Sequence, residues 1–289
     1  MIKVNKNYLV RPMSLRSNRL TYQRAISAVI ANGGWFPKAT NLYRSDPIKR
    51  ELNTIYNHKC AFCEHQPIGS PAQVEHFRPK DGVNGIVHTG YFWLAYEWSN
   101  LLLACGNCNS TKLNYFPIDN NLARVTGPTL SGGVIDEVSN FILNSPLKLE
   151  RSILLNPELD EPSKHLSFLP TGLIISLTPR GGVSIIQYNL NRDELYINGR
   201  KRIKDRILSK FLTRLERYIL GTRTSVEVIE DLKDVIKEDI IHPIANNLSF
   251  TAFYKQMLME YDSFYVSLIG NVRAAKILRF AFIKVINSL

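Results

Sequence analysis

The chain has four cysteines, and they form two Cys-x-x-Cys pairs. The first pair is Cys60 and Cys63, and the second is Cys105 and Cys108. Two such pairs can arrange four thiolates in a tetrahedron around one zinc ion. Isolated apolar cysteines have no physical reason to occur twice at this spacing, and a thioredoxin-like redox site needs one pair in a βαβ setting. The pattern therefore predicts a structural zinc site.

The segment between the two pairs is longer than the about 15–20 residues of a simple zinc ribbon. It contains Glu75 and His76 in the stretch VEHFRPK and Asn100 in the stretch WSNLLL. Asn109 and Lys112 lie at and beyond the end of the second pair, in CNSTK. We therefore expect the long insert to carry a second site, built from a carboxylate, an imidazole and amides.

The pattern CxxC…EH…N…CxxCN resembles the zinc-bearing HNH, or ββα-metal, endonucleases, with a core match from Cys60 to Pro117. More narrowly, three stretches resemble the PtuB-like HNH proteins: VEHFRPK, YFWLAYEWSNLLLACGNCNSTK and LLNPELDEPSKHLSF…LNRDELYINGRKR. Those proteins accompany an ABC-type ATPase of the PtuA kind in bacterial anti-phage systems of the Septu type, and some are retron effectors. The resemblance implies an anti-phage HNH endonuclease that works with such an ATPase.

Hydrolysis of a phosphodiester needs an activated water, an offset for charge on the phosphate, and help for the departing oxygen. The resemblance implies that His76 is the general base, because an unperturbed histidine is largely neutral at the pH of the cell. It also implies that Glu75 and Asn109 bind the catalytic cation through oxygen atoms. Asn100 would fix the backbone beside His76. Lys112, on the same helix face as Asn109, would reach a phosphate.

Two of these positions differ from the commonest form of the motif. The last metal-binding position is Asn109, where the family often has histidine, and the acidic position is Glu75, where it more often has aspartate. Oxygen donors favour hard cations. We therefore expect magnesium or manganese at the catalytic site and zinc at the four cysteines.

The composition agrees with a polyanionic partner. With 36 Lys and Arg against 25 Asp and Glu, the formal net charge is +11, which suits nucleic acid. We expect DNA rather than RNA. The N-terminal stretch MIKVNKNYLVRPMSLRSN lacks the apolar core of a secretory signal, and no apolar run approaches the about 20 residues of a membrane span. We therefore expect a cytoplasmic protein without membrane contact.

The sequence predicts an α+β protein in four parts. Residues 1–56 form an N-terminal helical cap, and residues 57–120 form the zinc-stapled HNH (ββα-metal) unit. Residues 121–190 form a small β-containing appendage, and residues 191–289 form a helical C-terminal region.

Local signals place several elements within these parts. Thr21 and the Asp46-Pro47 pair are expected to begin the two N-terminal helices. Gly172–Leu177 and Gly182–Tyr188 are expected to pair as two strands.

The C-terminal region has a periodic apolar pattern. Apolar residues recur every four positions, which predicts an amphipathic helix: Ile203, Ile207, Phe211, Leu215 and Ile219. Basic residues dominate its other side and either follow nucleic acid or simply face solvent: Arg200, Lys201, Lys204, Lys210, Arg214 and Arg217. After Phe250 come large apolar residues that either dock the ATPase or close the protein's own core: Phe264, Tyr265, Leu268, Ile277, Phe280, Phe282 and Ile283.

Two alternative functions remain compatible with the sequence. One is an RNase effector, for example one that cleaves tRNA, because the same fold can cut either polymer. The other is a non-catalytic zinc module that binds nucleic acid or acts as a scaffold for the ATPase. The second alternative predicts that His76→Ala leaves function intact.

Overall fold

The computed structural model describes residues 1–33, 42–67, 69–119 and 124–289, and within these ranges it is a mixed structure rich in helix. The helices are α1 Met13–Ser17, α2 Arg19–Ala31, α3 Asp46–Ile55, α4 Gly106–Lys112, α5 Pro179–Gln187, α6 Asp193–Leu195, α7 Arg202–Ile219, α8 Ser225–Ile236, α9 His242–Ala245, α10 Thr251–Met259, α11 Tyr261–Phe264 and α12 Val272–Ile286. The strands are β1 Gln73–His76, β2 Leu101–Ala104, β3 Leu130–Ser131, β4 Val134–Ile135, β5 Leu166–Phe168 and β6 Ile174–Ser176. Within the described ranges, no helix has the length and apolar character needed to cross a membrane.

The expected strand–strand–helix unit is present. Strand β1 pairs antiparallel with β2, with His76 opposite Leu101, and α4 follows β2 after a single residue. All four residues of β2 are completely buried, and α3 packs against both strands. The N-terminal segment also covers this unit: the buried Lys6 ammonium donates to the carbonyl oxygens of Trp98 (2.7 Å) and Leu101 (2.5 Å). The boundary predicted at residue 120 lies outside the described residues.

The two N-terminal helices exist, with small differences at their starts. Helix α2 begins at Arg19 with Asn18 as its N-cap, so Thr21 lies inside it. Helix α3 has Ser45 as its N-cap and Asp46 as its first residue. The carboxylate in the first turn still complements the helix dipole.

The predicted β-pair in the appendage is half wrong. Strand β6 lies within Gly172–Leu177, but its partner is the preceding β5, and Gly182–Tyr188 is mostly helix α5. The Thr178 hydroxyl caps that helix by accepting from the Gly181 amide, and Pro179 occupies its first turn. These helix-start signals outweigh the β propensity of the apolar residues that follow.

The apolar stripe of α7 packs into a bundle with α8 and α12. Ile207, Phe211 and Leu215 are buried, as predicted, whereas Ile219 at the end of the helix is 52% exposed. The expected docking residues after Phe250 divide into two groups. Phe264, Tyr265 and Phe282 are completely buried in this bundle and so close the protein's own core, and Ile277 packs partly buried against it. The exposed members are Leu268, Phe280 and Ile283.

The predicted basic face, which covers α7 and the two residues before it, makes more contacts within the protein than the sequence indicated. Arg200 is 1% exposed, and its guanidinium donates to the carbonyl oxygens of Gly172 and Leu190 at 2.6 and 2.8 Å. It is therefore a structural residue and cannot contact nucleic acid. Lys201 pairs with Asp205, and Lys210 pairs with Asp239. These acidic partners reduce the positive charge that this face presents.

Candidate functional site

The four cysteine side chains converge on one point. All four are buried, and their sulfur atoms lie within 4.8 Å of one another. The Sγ atoms of Cys63 and Cys105 are 3.8 Å apart. Zinc–sulfur bonds of about 2.3 Å in a tetrahedron require sulfur–sulfur distances of about 3.8 Å. Both the donor set and the spacing therefore fit a structural metal such as zinc.

Local backbone geometry brings the two pairs together. The first pair lies in a tight turn in which the Glu64 amide donates to the Cys60 carbonyl at 3.0 Å, and Glu64 has a positive φ of 60°. The Ala61 amide donates to the Leu103 carbonyl, which joins this turn to β2. Cys105 is the N-cap of α4, and its sulfur accepts from the Cys108 amide. The cysteine cluster thus joins the turn before β1 to the start of α4.

His76 ends β1 and is buried, at 7% exposure of the whole residue. Its Nε2 lies 3.0 Å from the carbonyl oxygen of Ala95. Because a carbonyl can only accept, Nε2 carries the proton and the lone pair of the neutral ring is on Nδ1. Nδ1 has no hydrogen-bond partner among the described residues. The ring also packs edge-on against Tyr43, with centroids 4.5 Å apart.

The electrostatic surroundings keep His76 neutral. Burial lowers the pKa of His76 to about 3, and the nearby cations Lys80, Lys112 and Arg44 act in the same direction. These cations make the surroundings of the ring electropositive, which suits a phosphate. A bound phosphate would raise the pKa of the imidazole toward the range of an effective base.

Asn100 lies where the sequence predicted, against the backbone that follows His76. Its side chain is completely buried; Oδ1 accepts from the Arg78 amide at 2.8 Å, and Nδ2 donates to the Arg78 carbonyl at 3.0 Å. Its own carbonyl accepts from the Phe77 amide at 3.0 Å. These hydrogen bonds hold the backbone directly after β1 in place and thereby hold His76, the last residue of the strand.

The side chain of Lys112 lies in a different place from the one predicted. Its side chain is completely buried, and Nζ lies 2.7 Å from Glu75 Oε1 and donates to the His76 carbonyl at 3.0 Å. In this position it cannot extend into solvent to reach a phosphate. The sequence places Lys112 and Asn109 on one face of α4, but that face packs against β1.

Glu75 is also buried, at 5% exposure. Burial raises the pKa of its carboxyl group, and the ion pair with Lys112 opposes that rise. Asn109 is half-buried, and its Nδ2 donates to Gln73 Oε1 at 2.6 Å. Gln73 and Glu75 alternate with Val74 along β1 and so share one side of the strand, which faces α4. Asn109 Oδ1 has no hydrogen-bond donor among the described residues and is available to a cation.

Three further contributors to the site are not marked by any sequence motif. Tyr43 and the carbonyl oxygen of Ala95 orient His76, and Arg192 contacts the cysteines. Tyr43 and Ala95 come from separate short helical turns that bear no motif. Arg192 lies in LNRDEL, within one of the stretches that resemble the PtuB-like proteins, but nothing in that stretch marks it as a neighbour of the cysteine cluster.

Comparison with known proteins identifies relatives of this chain. It is 34% identical to the Septu protein PtuB of Bacillus mycoides (strain KBAB4) over 233 residues, which cover 76% of this chain and 70% of that protein. It is 26% identical to the Septu protein PtuA of the same strain over 153 residues, which cover 51% of this chain and 20% of PtuA. The chain matches no protein-family model and no solved structure. The extent and identity of the first match show that the chain belongs to the PtuB family of Septu proteins.

Proposed function

We propose that this protein is a metal-dependent HNH endonuclease that hydrolyses phosphodiester bonds of DNA. It acts as the effector of an anti-phage Septu system and works with an ABC-type ATPase of the PtuA kind. Membership of the PtuB family supports the defence role, and the similarity to PtuA supports the partnership. The observation that carries the nuclease proposal is the neutral His76, held at the end of β1 with its Nδ1 lone pair free of any described partner.

In this proposal His76 is the general base, and its Nδ1 takes the proton from the attacking water. The hydrogen bond from Nε2 to Ala95 fixes the tautomer, and Asn100 fixes the backbone that carries the ring. A histidine held in this way needs no rearrangement before the reaction, so its orientation adds no cost to the barrier.

Glu75 and Asn109 are the proposed ligands of a divalent cation, magnesium or manganese. When bound, the cation would offset negative charge on the scissile phosphate and on the departing oxygen. Both residues face the gap between β1 and α4, and each supplies an oxygen suited to a hard cation. Lys112 keeps the Glu75 carboxylate in place through the ion pair. We therefore assign Lys112 a positioning role in place of direct phosphate contact.

The zinc proposed at the four cysteines has a different task. It joins the turn before β1 to the start of α4, and so it fixes the two elements that carry Glu75 and Asn109. Structural zinc sites of this kind supply folding free energy. We infer that the zinc maintains the frame and takes no part in the reaction.

The test is cleavage by the protein purified together with its ATPase. Double-stranded DNA, single-stranded DNA, messenger RNA and tRNA are incubated with the complex, ATP, and either magnesium, manganese or a chelator. The proposal expects metal-dependent cleavage of DNA, with tRNA and messenger RNA intact. Cleavage of RNA alone would replace it with the RNase alternative.

One observation favours the non-catalytic alternative, a zinc module that binds nucleic acid or acts as a scaffold for the ATPase. The Glu75 carboxylate is already neutralised by Lys112, so a cation must compete with an ammonium group for it. This alternative expects nucleic-acid binding without cleavage under every metal condition, together with full protection against phage by the His76→Ala protein.

A further inference from the structure

A single arginine from the C-terminal region lies against the cysteine cluster. Arg192 Nη1 is 3.7 Å from the sulfur of Cys108, and Nη2 is 3.8 Å from that of Cys63 and 3.7 Å from that of Cys105. These are N–H to sulfur hydrogen-bond distances. One guanidinium therefore contacts a sulfur of the first Cys-x-x-Cys pair and both sulfurs of the second.

The Arg192 side chain is held in this position by its own segment. It is 12% exposed; Nη1 also donates to the Tyr188 and Asn189 carbonyls at 3.4 and 3.2 Å, and Nε pairs with Glu194 at 3.2 Å. Glu194 in turn accepts from the side-chain Nδ2 of Asn107 at 2.9 Å, and Asn107 lies inside the second Cys-x-x-Cys pair. The guanidinium is thus oriented by several contacts and does not simply rest on the cysteines.

The same segment makes two more contacts with the cysteine cluster. The Tyr188 ring stacks on Phe62, inside the first pair, with centroids 4.0 Å apart. The Cys108 sulfur lies 3.7 Å from the Tyr188 carbonyl. The short stretch from Tyr188 to Glu194, which ends inside α6 and precedes α7, therefore touches both pairs.

Simple electrostatics assigns a role to this arginine. Four thiolates around one Zn²⁺ carry a net negative charge of about two units, and a buried net charge is costly unless it is compensated. Arginine stays protonated at every relevant pH, and its planar fork can contact several acceptors at once. Groups that hydrogen-bond to metal ligands commonly change metal affinity by about 10- to 100-fold.

We propose that Arg192 is a positioning residue of the zinc site, which offsets the charge of the thiolates and fastens the C-terminal region to the zinc-bound unit. This inference rests on zinc binding at the four cysteines and is independent of nuclease activity. The zinc site then connects the C-terminal region to the zinc-bound unit, in addition to holding the strand–strand–helix unit together.

The first measurement is the rate of zinc release to an excess of chelator, followed with a colorimetric zinc indicator. Arg192→Gln keeps a long polar side chain and removes the charge, and we expect it to release zinc at least about tenfold faster than the parent protein. Arg192→Lys keeps the charge but lacks the fork, and we expect an intermediate rate. Arg180→Gln is the matched control, because Arg180 pairs with Asp160 and contacts no cysteine among the described residues.

The second measurement is insensitive to general destabilisation. In the Co²⁺-substituted protein, sulfur-to-metal charge-transfer bands report the hydrogen bonds that the sulfurs accept. Loss of the Arg192 contacts should move these bands to longer wavelength in Arg192→Gln, and Arg180→Gln should leave them unchanged.

Several outcomes would overturn the proposal. It is wrong when Arg192→Gln releases zinc at the parent rate or leaves the cobalt bands in place. Should that variant fail to fold, Arg192→Lys decides in the same way, and bands identical to the parent's would contradict the proposal. A parent protein without stoichiometric zinc also refutes it, whereas failure of the nuclease proposal alone appears only in the cleavage assay and leaves zinc release unaffected.

Discussion

The Nζ atom of Lys112 lies 2.7 Å from Oε1 of Glu75, and both side chains are buried. The same ammonium donates to the backbone carbonyl of His76 at 3.0 Å. One lysine of α4 is therefore in contact with the proposed cation ligand and with the backbone of the proposed general base. This contact ties the helix to β1 at the centre of the candidate site.

Lys112→Met should be strongly destabilising, because it leaves the Glu75 carboxylate buried without its partner. Breaking a buried ion pair in this way costs about 3 kcal/mol or more of unfolding free energy. The double variant Glu75→Gln/Lys112→Met removes both charges and should recover much of that loss. Urea denaturation measures both, and Lys201→Met, which breaks an exposed pair with Asp205, should lower the unfolding free energy far less, because solvent screens an exposed pair. Equal losses for the Lys112 and Lys201 variants would contradict the structural role of the buried pair.

Replacing any one of the four cysteines should release the zinc and unfold the surrounding unit. Cys105→Ser is the sharpest case, because Cys105 is also the N-cap of α4. We expect one zinc per chain in the parent protein and none in the variant, measured by elemental analysis, together with loss of cooperative thermal unfolding. Ser110→Ala, on the exposed side of the same helix, should keep both properties. A well-folded Cys105→Ser protein would exclude a structural zinc.

The burial of His76 predicts a defined acid sensitivity. Its pKa is lowered from 6.5 to about 3 in the folded protein, so the unfolded chain binds a proton between these values and the folded chain does not. Stability should therefore fall as the pH falls below 6.5, and it should continue to fall until about pH 3.

Between about pH 7.5 and pH 5 this difference amounts to about 2 kcal/mol of unfolding free energy. Urea denaturation at the two pH values should show that the parent loses this much more than His76→Gln, which cannot titrate. His242→Gln, at an exposed position of α9, should behave like the parent. If the parent and His76→Gln lose the same amount of stability, His76 titrates normally and is not buried in solution.

The contact with the ATPase should involve the exposed apolar residues of α12. Phe280 and Ile283 are 45% and 40% exposed and lie three residues apart on one helix face. Phe280→Asp/Ile283→Asp should keep the zinc and lose the ATPase in co-purification, because charge disfavours burial in an interface. Leu212→Asp, on α7 and 46% exposed, is the control. Unchanged co-purification would move the contact elsewhere, with the N-terminal helices before Cys60 as the next candidate.

The sequence was most informative where a short motif determines the relative positions of its side chains. The spacing of the four cysteines predicted that they would converge, and they do so at distances that fit zinc. Asn100 was expected beside His76 because the resemblance to the HNH endonucleases implies that position. In both cases the elements concerned are adjacent in the fold and are joined by short-range contacts.

The sequence was least informative where the role of a charged side chain depends on whether it is buried or faces solvent. The spacing of Asn109 and Lys112 indicates a shared face of α4 but not whether that face meets solvent or β1, so the burial of Lys112 was not foreseen. Arg200 was assigned to a basic surface for the same reason. Arg192 contacts cysteines far from it in the chain, and only the tertiary fold brings them together.

The most direct test of the central claim is the rate of DNA cleavage by the His76→Ala protein in complex with the ATPase, with magnesium or manganese present. His76→Ala removes the proposed base and should reduce the single-turnover rate by about 100- to 10,000-fold. Zinc content, ATPase binding and DNA binding should match those of the parent, and His242→Ala should cleave normally. A His76→Ala complex that cleaves DNA at the parent rate would show that His76 is not the base and that the candidate site is not the active site.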